Sequence, residues 1–141
     1  MTMEFKKILV GIDGSENSKR AATAAANLAE LFKGTVTLVS VVKPGEYSLA
    51  VDNQAFIENL KEFHNDLVDT TKEDISKSGI VVDTRIELGT PWKELIKLAT
   101  EGHYDLIVVG SRGSGQVADF LIGSNSTRVV QHSAVPVLVI P

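Results

Sequence analysis

The sequence predicts one α/β domain, a doubly wound sheet of five parallel strands in the order 3-2-1-4-5 with helices on both faces. Three observations predict it. Short apolar runs rich in β-branched residues alternate with helical patterns from end to end. The runs are continuous, as in strands covered on both faces. At 141 residues, with no linker, internal repeat or low-complexity stretch, residues 1–141 are expected to form a single unit.

Each element has its own signal. Lys7 to Ile12 reads as a buried first strand, and Ser15 to Lys33 as an alanine-rich helix capped by Ser15 or Asp13 and stopped at Gly34. Thr35 to Val42 is the second strand, dense in β-branched side chains. Lys43 to Leu49, with Pro44 and Gly45, breaks the pattern as a loop. Phe56, Leu60, Phe63 and Leu67 recur at steps of four, three and four, marking one face of a long amphipathic helix that ends before Gly79. Ile80 to Leu88 is the third strand. Thr90 and Pro91 suit the cap and first position of a third helix carrying Leu95, Ile96 and Leu98. Asp105 to Gly110 is the fourth strand, Ser124 to His132 the fourth helix, and Pro136 to Ile140 the fifth strand, whose leading proline suits a sheet edge.

Composition narrows the function. With 14 basic and 18 acidic side chains the formal charge is −4, and no basic stripe or block appears, which argues against nucleic acid or membrane binding. The chain has no cysteine, so neither a disulfide framework nor a thiolate metal site is available, as suits a reducing compartment. The apolar run after Lys6 and Lys7 is too short for a signal-peptide core or a membrane span, and a cytoplasmic location is expected. His64, His103 and His132 make no metal-ligand spacing and read as solvated or structural.

In a doubly wound sheet, ligands bind beyond the carboxyl ends of the strands where the strand order reverses, here between the first and fourth. Those ends are Gly11, Ile12 and Asp13 on one side and Gly110, Ser111 and Arg112 on the other. Gly113, Gly115 and Gly123 follow, and Ser124 opens the last helix. A strand, a glycine-rich loop and a helix N-terminus in that order suit an anion, because open amides and the positive end of the helix dipole converge. The alternative is a surface loop whose glycines only turn the chain. Known phosphate motifs do not fit: after Gly110 to Gly115 stand Gln116 and Val117 where a Walker loop needs Lys and Ser or Thr. The first turn, Gly11 to Ser15, lacks the third glycine of a dinucleotide fingerprint. Asp13 is placed either to contact a metal or to cap the first helix. Arg112 either pairs with phosphate or faces solvent, and Trp92 packs the third helix in preference to stacking on a base.

Gly110, two residues, Gly113, nine residues, then Gly123 and Ser124 resembles the glycine pattern of ATP-binding universal stress proteins. The opening KKILVGIDGSENSKRA, the strand end at Val41 and Val42, the YDLIVVGSRGSG segment and the closing SAVPVLVI extend the resemblance over nearly the whole chain. It implies that Gly110, Gly113, Gly123 and Ser124 hold ATP phosphates, that Asp13 lies near the ribose or a metal such as Mg2+, and that the backbone at Val41 or Val42 contacts adenine. Many members of that family have a small apolar residue after the motif serine. This chain has Asn125, Ser126 and Thr127, which either cap the helix or add phosphate contacts.

Three function classes follow. One is a regulatory protein whose ATP occupancy alters shape, oligomerisation or partner choice. Another is an enzyme, a slow ATPase or nucleotidyl transferase, against which stand the missing Walker lysine and the lack of an evident general base; no catalytic residue is assigned. A third is a dimeric interaction module that binds no nucleotide. The first is favoured, as a homodimer joined through the exposed C-terminal edge strand VPVLVI.

Overall fold

The computed structural model describes residues 2–46, 54–76, 79–112 and 122–141. Among the described residues five strands alternate with four long helices: β1 (Lys7–Gly11), α1 (Glu16–Phe32), β2 (Thr35–Val42), α2 (Gln54–Ile75), β3 (Val81–Leu88), α3 (Pro91–Glu101), β4 (Leu106–Gly110), α4 (Ser124–His132) and β5 (Val137–Ile140). All strand pairs are parallel and the order is β3-β2-β1-β4-β5, the expected topology. No helix among the described residues is long and apolar enough to cross a membrane.

Side-chain alternation splits the core into two layers. Ile8, Val10, Val36, Leu38 and Val108 face α1 and α2, while Leu9, Val39, Ile107 and Val109 face α3 and α4. Ile8, Leu9 and Val10 are completely buried, which explains why the central strand carries an unbroken apolar run. On α1, Ala21, Ala22, Ala25 and Ala29 are also fully buried. Each buried methyl contributes about 0.8 kcal/mol, and their small size lets the helix backbone approach the sheet closely.

Local chemistry sets the ends. Ser15 Oγ accepts from Ser18 N at 3.1 Å and is the N-cap of α1. Lys33 takes the left-handed conformation at the C-cap, with φ 57°. Gly34 is required for space, since a Cβ there would overlap the backbone of Lys6. Pro91 occupies the first turn of α3. Pro136 precedes β5, and its carbonyl still accepts from Ile107 N at 2.9 Å.

The apolar face expected on α2 is rotated. Phe56 and Phe63 are 44% and 54% exposed, and the buried stripe is His64, Val68, Thr71 and Ile75. Both sets step by four, three and four, so spacing alone cannot choose between them. The sheet decides: His64 meets Ser40, two residues from the end of β2, so the turns before it stand above the carboxyl edge of the sheet with no strand to cover them.

Candidate functional site

A cavity of about 330 Å³ opens beyond the carboxyl ends of β1, β2 and β4. That size falls at the small end of ligand sites. Its position follows from the topology, because α1 leaves β1 on one face of the sheet and α4 enters from the other. Of the residues singled out in the sequence, Gly11, Ile12, Asp13, Val41, Gly110, Arg112, Gly123, Ser124, Asn125 and Ser126 line it. Gly113 and Gly115 lie outside the described residues.

The two halves of this wall are tied together by hydrogen bonds. Ser126 Oγ donates to Gly110 O at 2.5 Å, and Gly123 N donates to Ser111 O at 2.5 Å, so the first turn of α4 is fastened to the end of β4. Ser111 N donates to Ile140 O at 2.7 Å, which extends the link to β5. From α1, Asn17 Nδ2 donates to Ser111 Oγ at 3.0 Å, and Arg20 donates both to Asn17 Oδ1 and to Pro141 O, at 3.0 and 2.8 Å.

Several expected roles change. Neither Asn125 nor Ser126 caps α4: its N-cap is Gly123, which makes no side-chain cap bond, and the hydroxyl of Ser126 is committed to Gly110. Among the described residues no side chain caps the positive end of α4, whose first residues line the cavity. Gly110 is needed for packing, because a Cβ there would come within 2.6 Å of Asn17 Cβ. Ser111 is absent from the cavity wall and supports it from behind. Val42 is absent from it too; its carbonyl accepts from Gly89 N at 2.9 Å, while Val41 remains on the wall. Trp92 stacks on His132 with ring centroids 5.0 Å apart, which fits packing between α3 and α4.

Asp13 does not cap α1, since Ser15 does. Its Oδ1 accepts from Ser15 N at 2.9 Å, holding the turn after β1. Among the described residues no group of three or more His, Asp or Glu side chains gathers as a metal site. A magnesium ion beside Asp13 would find one carboxylate and would draw its remaining oxygens from phosphates and water, the usual situation for that ion.

Sequence reasoning missed the floor of the cavity. His64 is 4% exposed, and its Nδ1 lies 2.6 Å from Ser40 Oγ, with Glu46 and Lys43 beside it on the wall. A lone histidine in an amphipathic helix carries no signal of this kind. Only the packing of α2 on β2 puts it there.

With this geometry in view, likeness to known proteins becomes decisive. The profile of the universal stress protein family matches residues 4–141. The chain belongs to the universal stress protein family. A protein of Staphylococcus saprophyticus that carries the same family name is 37% identical over 98% of this chain and 84% of its own length. Among solved structures, universal stress protein UspA from Lactobacillus plantarum superposes with a TM-score of 0.86 at 26% identity, covering 99% of this chain and all of that one. A universal stress protein in complex with cAMP superposes with a TM-score of 0.72 at 25% identity, covering 97% of each chain. The five-stranded sheet of this universal stress protein is thus the fold of its relatives.

Proposed function

We propose that this universal stress protein binds an adenine nucleotide, ATP foremost, in the cavity at the carboxyl edge of the sheet, and that occupancy regulates its shape or partners. The observation that carries the reading is the α4 N-terminus, without a side-chain cap among the described residues, facing the cavity between the ends of β1 and β4. Open amides and a partial charge of about +0.5 favour phosphate there. The overall acidity of the chain does not oppose this, because the positive potential is local and Arg112 borders the same wall. The related protein bound to cAMP supports an adenine ligand.

On this reading Ser124 and Asn125 present amides to phosphate, Gly123, whose own amide is bonded to Ser111 O, leaves room for its close approach, and Gly113 and Gly115 are proposed alongside them from the glycine pattern alone. Gly11, Ile12 and Asp13 line the ribose side, and Val41 the base side. Magnesium, if bound, sits between Asp13 and the phosphates. Turnover is slow, because amide and hydroxyl donors hold the ground-state phosphates as well as the transition state. We further propose a cytoplasmic homodimer formed through β5, whose outer edge pairs with no strand among the described residues. Native mass spectrometry of the protein as purified tests the reading. A mass increment matching an adenine nucleotide is expected, and protein that stays at its bare mass after incubation with millimolar ATP would refute it.

A further inference from the structure

Among the described residues, a side chain that lines the cavity carries a buried polar atom with no partner. Nε2 of His64 is buried and has no hydrogen-bond partner. Glu46 Oε2 stands 3.7 Å away, close enough to act electrostatically and too far for a hydrogen bond. Glu46 Oε2 is itself held in place, accepting from Lys43 N at 2.8 Å. A buried histidine nitrogen left unpaired is costly, and its presence in a ligand cavity points to a partner that arrives with the ligand.

The ring is oriented for this. With the proton on Nε2, beside the Glu46 carboxylate, Nδ1 is the acceptor and the Ser40 hydroxyl the donor across their 2.6 Å contact. Ser40 is itself buried in β2, which fixes the imidazole plane. The result is a donor, Nε2–H, beside a carboxylate acceptor, on residues that line the cavity near the end of β2. Flanking them are the apolar side chains of Phe63 and Leu67. A flat heterocycle with an acceptor nitrogen next to an amino donor complements this arrangement. That is the edge of a 6-aminopurine. The Hoogsteen edge of a 6-oxopurine would instead set an oxygen against the carboxylate.

We propose that His64 Nε2–H donates to a ring nitrogen of the adenine base, that Glu46 accepts from its 6-amino group, and that this pair selects adenine over guanine nucleotides. The proposal rests on the nucleotide reading of the cavity. Ser40 acts as a positioning residue through the imidazole.

Calorimetric titration of the full chain with ATP, GTP and inorganic tripolyphosphate separates the possibilities. Wild-type protein is expected to bind ATP at least tenfold more tightly than GTP. His64→Phe, which keeps the ring bulk, is expected to lose about tenfold in ATP affinity with tripolyphosphate affinity unchanged. His64→Gln, whose amide reaches a similar position, should recover most of the loss. In parallel, the ¹⁵N resonance of His64 Nε2 in wild-type protein is expected to move with ATP and to stay fixed with tripolyphosphate, a measurement that needs no folded variant. Equal affinity for ATP and GTP, parallel loss of ATP and tripolyphosphate in His64→Phe, or an Nε2 resonance indifferent to ATP would each overturn the assignment and leave His64 a packing residue. Wild-type protein that binds neither ATP nor tripolyphosphate would instead fail the nucleotide reading beneath it.

Discussion

Ser126 Oγ donates to the carbonyl of Gly110 at 2.5 Å, joining the first turn of α4 to the last residue of β4 across 16 positions of sequence. This bond is buried, and it sets where the open end of α4 points. Ser126→Ala leaves the Gly110 carbonyl unpaired in the interior. We expect a loss of about 1–3 kcal/mol in urea unfolding, together with weaker ATP binding because the helix end is no longer held against the strand. Unchanged stability and affinity would show that the bond is incidental.

Gly110→Ala tests the close approach of α1 to β4. The added methyl meets Asn17 Cβ and Ser18 N, at 2.6 and 3.0 Å, and backbone on both sides prevents easy relief. A destabilisation of about 1–3 kcal/mol is expected, the usual cost of overpacking. A mutant with wild-type thermal midpoint would contradict the packing role.

Asn17→Ala removes both the donor to Ser111 Oγ and the acceptor for Arg20. Because Asn17 is 7% exposed, water compensates little. Stability should fall by about 1–2 kcal/mol, and nucleotide affinity should fall with it, since Ser111 O holds the amide of Gly123 at the start of α4. Denaturation and titration of the same sample read both effects.

The β5 edge predicts a dimer that can be split without touching the core ladder. The carbonyls of Pro136 and Ile140 accept from Ile107 and Ser111, so the amides of Val137 and Val139 point away from β4 by the two-residue period of a strand. Val139→Pro therefore removes only an outward donor. Sedimentation should show a wild-type dimer and a folded monomeric variant; a wild-type monomer at micromolar concentration would end the claim.

Steady-state phosphate release by purified protein should not exceed about one per minute, far below the roughly ten per second common for enzymes. Sustained release above one per second would identify an enzyme.

Much of the fold was legible because its signals are local. Continuous apolar strands, Ser15, Pro91 and Pro136 each carry their meaning within a few residues. The cavity wall was legible at Asp13 and Arg112 because strand ends in this topology converge by rule, and at Gly123 because it opens the helix that follows the fourth strand. What sequence could not show depends on how elements pack. The face of α2 was ambiguous because Phe56 and Phe63 follow the same steps as the buried stripe, and α2 begins beyond the sheet that would cover them. His64 is functional in this account only because β2 puts Ser40 beneath it. Ser126 looked like a cap residue until the nearness of Gly110 O gave its hydroxyl another acceptor.

The central claim is that the cavity between β1 and β4 holds ATP. Isothermal titration of the nucleotide-free, folded chain measures it directly. One ATP per chain with a dissociation constant of about 100 μM or tighter, weakened in Gly123→Val, is the predicted result. No heat and no saturable binding with millimolar ATP, in protein shown to be folded by circular dichroism, would contradict it.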